Sequence, residues 1–351
     1  MTVKLIHVGV GGWGGDWEVN AIPPVKEVER VAVVDAYEPT LRALQQKLKL
    51  PDAMCFTSLA GAMANVESDA VLVTAPMAAH IPVSLEALNA GKHVLVEKPF
   101  AGTVAEAKIA VDRAEELGLI LQVSQNYRFY PAVRAATRLV EEGTIGELSV
   151  INVDFRRWAN DAPVEGNRHY LFTHPLIFDM AIHHFDLMRK ITGQEAVKVY
   201  AKVVDPSWSK FVEEASAVIT IEMVNGVVVS YRGSWISSGA STHWAGDWHI
   251  EGEKGEVSFT GREGGAAGTG GDRVGLRLRD GSKNGGKRKA VELEKMDLWG
   301  RSAGLAAFAK AINGGPIPET IGRANLGSVA LMEAAAKSSL SGQVEDVVIP
   351  S

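Results

Sequence analysis

Five short apolar, β-branched runs, spread over the first 124 positions and separated by Ala- and Leu-rich segments, restrict this chain more than any other feature. They are VKLIHVGV (3–10), RVAVVD (30–35), AVLVTAP (70–76), HVLVEKP (93–99) and LILQVS (119–124). Each is apolar almost without a break, as a strand must be when both faces of its sheet are covered. The segments between them, such as 40–48, 83–90 and 104–117, have helical character. Parallel βαβ units are the solution, and a doubly wound α/β domain is expected over residues 1–124.

A chain of 351 residues exceeds one ordinary core, so a second domain is expected over 125–351. QNYRFYPAVRAATRLVEEGTIGELSVI (125–151) reads as a strand end, a helix over 131–142 and a Gly-containing turn into a new strand. Beyond it, ELSVINVDFRRW, AVKVYAKVV, ASAVITIEMV, GVVVSYRGSW, DWHIEGEKGEVSFTG and VGLRLRD alternate more loosely. Asn225-Gly226 and Glu253-Lys254-Gly255 supply hairpin turns. An α+β domain with a large, open, mainly antiparallel sheet follows. The glycine-dense stretch 261–286 reads as a mobile surface hairpin loop. Helices over 303–313 and 325–341 are expected to pack back toward the first domain.

Composition removes several classes of function. Lys+Arg total 36 against Asp+Glu 42, with no run of five like charges, so neither nucleic acid nor an anionic membrane finds an electrostatic footprint. The single cysteine, Cys55, forbids an intramolecular disulfide framework and a cysteine zinc cluster, which suits a reducing cytoplasm. MTVKLIHVGVGG enters a strand directly, without the features of a secretory leader. No apolar stretch approaches the roughly 20 residues that span a bilayer.

The first strand turns into GVGGWGG, which contains Gly9-x-Gly11-x-x-Gly14, with Gly12 and Trp13 inside the turn. A second strand then ends in Asp35, 21 residues after Gly14. Glycines let the backbone approach a pyrophosphate, and an acid at about 20 residues' distance accepts hydrogen bonds from the adenosine ribose. A merely tight turn would not need the acid, so a dinucleotide is expected here. A carboxylate repels a 2′-phosphate, and Ala36 and Tyr37 offer no arginine to neutralise one, so NAD is favoured over NADP; Arg42 is the nearest basic residue downstream. Ligands of such sheets sit beyond the carboxyl ends of the strands, which adds Thr74, Ala75, Pro76, Glu97 and Lys98 to the cofactor side. There Lys98 is placed for proton transfer, with Pro99 fixing the backbone that aims it.

LIFDMAIHHFDLM (176–188) reads as one helix, with Asp179, His183 and Asp186 on one face and His184 turned away. Three readings compete: a core histidine satisfied by an aspartate, metal ligation by the three residues, and acid/base catalysis in which Asp179 orients His183. No fourth metal ligand is evident. Candidate substrate contacts are Arg156, Arg157, Trp158, Asn167, His169, Tyr170, Trp235, His243 and Trp244, since aromatic faces and guanidinium forks suit sugar rings and anions; the tryptophans read equally as packing or interface residues. Adjacent strand residues face opposite ways, so Arg156 and Arg157 are not expected to share a cleft.

Together, Gly9-x-Gly11-x-x-Gly14, Asp35, Pro76 with His80, Glu97-Lys98-Pro99 and Asp179-x-x-x-His183-x-x-Asp186 resemble the Gfo/Idh/MocA family, and the likeness runs end to end through QNYRFYP, EEGTIGEL and DWHIEGEKGEV. The resemblance implies a Rossmann domain followed by a domain whose open sheet builds homodimers or homotetramers. It implies hydride transfer between a nicotinamide and a secondary alcohol or ketone of a sugar or cyclitol. Lys98, His183 and Asp179 would be catalytic and Glu97 near the nicotinamide ribose, with no metal. His80 and Asn126 join the cofactor side, and Tyr127, Arg157, Trp158, His169 and Tyr170 the substrate side. Two other outcomes use the same fold: redox-neutral cleavage of glycosides by oxidation, elimination and re-reduction, and nucleotide sensing by a non-catalytic regulator. The chain departs from the family at THPLIF (173–178), where glycines are common, and at Ala181, where the family often has Gly.

Overall fold

A computed structural model divides the chain into two compact units, residues 1–126 with 298–329 and 350, and residues 127–297 with 330–349. The structure describes residues 1–263, 268–282 and 285–350. In the first unit, six parallel strands are β1 (Val3–Val8), β2 (Val28–Val34), β3 (Cys55–Phe56), β4 (Ala70–Val73), β5 (His93–Val96) and β6 (Leu121–Val123), in the order β3-β2-β1-β4-β5-β6. The order reverses between β1 and β4, the switch point at which such sheets bind ligands. β4 is buried along its whole length, which is why its sequence shows no alternation. The two-residue β3 escapes the sequence reading because it is too short to carry a period. Helix Gly300–Ile312 covers this sheet, with Leu305, Phe308 and Ala309 against Val3, Leu5, Trp17, Leu72 and Leu95.

The second unit holds a nine-stranded sheet of β7 (Leu148–Arg156), β8 (Ala196–Val204), β9 (Ser216–Met223), β10 (Val228–Ser234), β11 (Asp247–Gly252), β12 (Gly255–Thr260), β13 (Arg273–Leu278), β14 (Lys289–Ala290) and β15 (Glu345–Asp346). Its order is β14-β13-β12-β11-β7-β10-β9-β8-β15, and only the β7–β10 pair is parallel. Ala217, Ile219, Ile221 and Met223 of β9 are buried, whereas Val218, Thr220 and Glu222 are exposed, as expected of a sheet covered on one face. Helix Pro131–Glu141 packs on helix Ile182–Thr192 and on β12 and β13.

The glycine-dense stretch is not simply a loop. β13 lies inside it and pairs with β12 along its length, and both Arg262 and Asp272 are buried. Residues 264–267 and 283–284 of that stretch lie outside the described residues. Among the described residues, no helix is long and apolar enough to cross a membrane.

The expected helix over 176–188 is two pieces, a π-helical segment Pro175–Ala181 followed by the α-helix Ile182–Thr192. Asp186 is no partner in a metal site. It is buried and takes a bidentate pair from Arg128, at 2.6 Å from Nε and 2.7 Å from Nη2. Breaking such a pair leaves a charge buried without compensation. Arg189 Nη1, 3.9 Å from Asp186, offsets only part of that loss. Arg128→Met is therefore expected to destabilise the fold by about 3 kcal/mol, read as a fall in the urea midpoint without a change in slope.

Candidate active site

At the glycine turn of the first unit, backbone meets backbone too closely for side chains. Gly9 has φ +88°, and a Cβ there would stand 2.3 Å from the Ala75 nitrogen; one on Gly14 would stand 1.9 Å from the Gly9 carbonyl oxygen. The Thr74 hydroxyl donates to that carbonyl at 2.6 Å. Behind it lies a buried chain that the sequence reading lacks: His7 Nε2 is 2.8 Å from Thr74 Oγ1, His7 Nδ1 is 2.7 Å from Glu18, and Glu18 also pairs with Arg30. Burial opposes ionisation of Glu18, but His7 and Arg30 hold it below the usual carboxylate range. The signals were a histidine in an otherwise apolar strand and a glutamate on the helical stretch after the turn.

Asp35 ends β2 with its carboxylate already oriented: Oδ2 accepts from the Val10 amide at 3.0 Å and Oδ1 from the Tyr37 amide at 2.9 Å. Arg42 pairs instead with Glu38 and Asp52 on the surface. Beside the turn, a groove of about 440 Å³ is lined by Gly11, Gly12, Thr40, Ala43 and Lys47 among others.

The charges that end β5 have a physical reason to be there. Glu97 is 5 % exposed, and its Oε1 accepts from the indole of Trp13 at 2.9 Å, the indole of Trp17 at 2.7 Å and the Ser124 hydroxyl at 3.2 Å. Its Oε2 accepts from the Lys98 amide at 3.0 Å. Trp13 in turn lies under the guanidinium of Arg301, 4.0 Å from its centroid, and Arg301 pairs with Asp16. Trp17 stands four residues after Trp13 on the helical stretch, a spacing the sequence shows; Arg301 carries no such signal. Lys98 is half-buried and precedes Pro99 through a cis peptide bond.

His80 stands between two of the strand-end loops that the sequence reading puts on the cofactor side. It is buried, with Nδ1 2.8 Å from the Pro99 carbonyl and Nε2 2.8 Å from the Ala75 carbonyl, so it braces two strand-end loops. Beside Ser124, at the end of β6, Gln125 is buried with neither amide atom hydrogen-bonded to a described residue, and the Oδ1 of buried Asn126 likewise has no such partner. Gln125 is absent from the sequence reading because a lone amide carries no pattern.

In the second unit, His183 is buried flat against Tyr127, ring centroids 4.0 Å apart and planes 3° from parallel. Tyr127, expected at the substrate, is 1 % exposed, and its hydroxyl accepts from Arg262. It is a platform for His183. The carboxylate of Asp179 lies 3.5 Å from His169 Nε2, and the His169 ring packs edge-on against Trp235, Phe172 and Phe211. Tyr170 is also a packing residue, fully buried with its hydroxyl donating to the Ala162 carbonyl at 3.2 Å. Trp235 is buried and donates to the Pro175 carbonyl, and the Asn167 side chain caps the short turn at His169. Trp158 is exposed and stacked on Trp208. Arg157 lies over Trp244 at 4.4 Å, whereas Arg156 reaches Asp247 at 4.0 Å, so the neighbouring arginines serve different surroundings. His243 stands 3.8 Å from Glu263.

Residues 3–125 match the model of an oxidoreductase family with an NAD-binding Rossmann fold, and residues 133–258 match that family's C-terminal domain. The chain belongs to the Gfo/Idh/MocA family. Among its relatives, the 1,5-anhydro-D-fructose reductase of Ensifer adhaerens is 26 % identical over 302 residues, 83 % of each chain. The myo-inositol 2-dehydrogenase of Thermotoga maritima is 27 % identical over 229 residues, 64 % of this chain and 66 % of that one. A solved structure of an aldose-aldose oxidoreductase from Caulobacter crescentus with glycerol superposes with a TM-score of 0.82 over 99 % of this chain and 100 % of that one, at 20 % identity, a likeness of fold.

As a Gfo/Idh/MocA oxidoreductase the chain binds a nicotinamide dinucleotide, and its first unit fits one. Gly9 and Gly14 keep the turn clear of side chains, Asp35 is pre-oriented, and the buried amides of Gln125 and Asn126 leave polar atoms for a ligand.

His184, beside His183 in sequence, is structural. Its Nδ1 accepts from the Tyr231 hydroxyl at 3.1 Å and its Nε2 donates to the Trp244 carbonyl at 3.2 Å, a tautomer assigned from those partners. Complete burial pulls its pKa down to about 4, with the Trp244 bond opposing. Unfolded, the same imidazole takes its proton near pH 6.5. Its neutral form therefore supports the fold fully above that pH, and this support is lost as pH falls toward 4, by about 3 kcal/mol at most. Stability measured by urea unfolding is expected to fall less steeply between pH 6.5 and 4 in His184→Gln than in the parent protein.

Proposed function

We propose that the protein oxidises a secondary alcohol of a sugar or cyclitol with NAD, or runs the reverse reduction. The observation that carries this reading is the buried His183 laid flat on Tyr127, in a unit where Asp179 stands beside His169. An imidazole held in one orientation by a ring can take a hydroxyl proton from a fixed direction, and histidine titrates where such transfer is useful. Lys98 is the second proton-handling group, an ammonium that donates to the alcohol oxygen and steadies the negative charge growing on it. As the carbon–oxygen bond becomes double, the proton leaves to His183, and the nicotinamide supplies the chemistry of accepting the hydride with its electron pair. Relatives named for anhydrofructose reduction and inositol oxidation support this substrate class.

NAD is preferred over NADP because the Asp35 carboxylate, tied to two backbone amides, cannot swing away from a 2′-phosphate. The exposed face of the nine-stranded sheet, with Tyr200, Val218 and Val228 among its polar residues, is the surface through which the chain forms homo-oligomers. A reducing, cytoplasmic setting suits the single half-buried Cys55.

Lys98→Ala and His183→Ala are each expected to lower kcat on the best polyol of a sugar and cyclitol panel by ~10²–10⁴, while NADH titrations followed by fluorescence keep the parent affinity. Substantial turnover by both variants would remove the assignment. Asp35→Ala is expected to weaken NAD binding about tenfold or more, from the loss of charge-assisted hydrogen bonds, and NADP binding less. An equal loss of both cofactors would argue against the ribose contact.

A further inference from the structure

We propose that the alcohol substrate carries a carboxylate, recognised by the guanidinium groups of Arg157 and Arg262 in the second unit. The proposal deepens the dehydrogenase reading above and rests on it. Both guanidinium carbons lie against Trp244, at 4.4 Å for Arg157 and 5.6 Å for Arg262, and Arg262 also lies 4.7 Å from the centroid of Tyr127. Because Tyr127 is the platform of His183, Arg262 stands one aromatic ring away from the imidazole, with Arg157 beyond it across Trp244.

Among the described residues, no carboxylate pairs with Arg157 or Arg262, and the Nε of each is buried without a hydrogen-bond partner. Two other arginines of the unit do hold carboxylates: Arg128 holds Asp186 and Arg232 holds Asp154, each with two hydrogen bonds. Arg262 is 7 % exposed, and the nearby carboxylate of Asp272 is engaged elsewhere. Asp272 accepts from the backbone amides of Arg262 at 2.8 Å and Ala132 at 3.0 Å, leaving the guanidinium with the tyrosine hydroxyls. Arg157 registers the like charge: burial and then the proximity of Arg262 hold its pKa below the usual arginine range.

An arginine cannot relieve such a position by losing its proton, so two buried or half-buried cations without an anion are expensive unless a ligand brings one. A planar guanidinium matches a carboxylate edge to edge with two hydrogen bonds. A monoanion is favoured over a phosphate because the surrounding rings of Trp244 and Tyr127 offer little solvation for a second charge. Arg262 stayed outside the sequence reading because it stands in the glycine-dense stretch, 105 residues beyond Arg157.

The test measures binding and turnover separately, on the full chain saturated with NAD. D-Galacturonate, D-glucuronate and D-gluconate are titrated by calorimetry against D-galactose, D-glucose, the methyl esters of the two uronates, and glucose 6-phosphate. At least one acid is expected to bind about tenfold or more tightly than its neutral counterpart, the worth of one charge-assisted contact, and to be oxidised with the lower KM. Arg157→Met, at the less buried position, is expected to erase that preference, as is Arg262→Lys, which keeps the charge but loses the fork. Equal binding of acids and neutral sugars, preference for the phosphate, binding of no acid at all, or a preference surviving in both variants would each overturn the proposal. Turnover of neutral sugars alone would overturn it while leaving the dehydrogenase reading intact. Tight binding of an acid without reduction of NAD would uphold the anion site and count against that reading.

Discussion

The first unit depends on one buried carboxylate. Glu97 follows three buried apolar residues, Val94, Leu95 and Val96, and an isolated charge at that depth would cost several kcal/mol. Four donors offset it: two indoles, a hydroxyl and the amide of the next residue. Two of the four come from the helical stretch that follows the glycine turn, so satisfying the charge also fixes where that stretch begins relative to β5. The turn is held from the other side by the Thr74 hydroxyl on the Gly9 carbonyl, backed by His7 and Glu18. Lys98 therefore leaves a backbone braced by its own neighbour's carboxylate and, through Pro99, by the ring of His80. An ammonium that starts from such a backbone has its stem anchored at a fixed point.

The second unit handles charge by the same physics with the sign reversed. Asp186 and Asp154 are held by arginines and Asp272 by backbone amides, and the guanidinium groups of Arg157 and Arg262 are left among aromatic rings. Ring faces attract cations, which tempers the cost of holding them, but by only about 0.5–2 kcal/mol each. That is well short of what a buried ion loses on leaving water. Such a site is better described as prepared for an anion than as satisfied without one, and it lies along the same Tyr127 ring that fixes His183.

What was legible in the sequence follows from periodicity and from motifs of short range. The buried strands of the first unit announce themselves by unbroken apolar runs, the second sheet by alternation, and the dinucleotide turn by glycines whose absent side chains are a steric necessity. Three kinds of feature were not legible. The two-residue β3 is shorter than a period. Long-range side-chain partners such as Arg301 with Trp13, or Arg262 with Tyr127, join positions that no local pattern relates. The resemblance put Tyr127 on the substrate side, and aromatic character put Tyr170 there; that both are buried, with each hydroxyl bonded inside the protein, is a long-range feature no local pattern carries.

The segment where the chain departs from its family's pattern has its own physical account. Within THPLIF, His174 adopts the left-handed conformation, φ 43° and ψ 58°, that glycine reaches without strain. For a residue with a Cβ this costs about 1–2 kcal/mol. Two carboxylates offset it: Glu213 accepts from the His174 amide at 2.7 Å, and Glu214 lies 2.7 Å from its Nδ1, a hydrogen bond that raises the imidazole pKa despite partial burial. With the bend secured by side chains in place of glycine, Pro175 opens the π-helical segment immediately after it. The wide turns of that segment decide where Asp179 emerges, which is beside His169. The charged bracket thus secures the bend and makes the placement of the Asp179 carboxylate depend on an ion pair outside the segment that carries it.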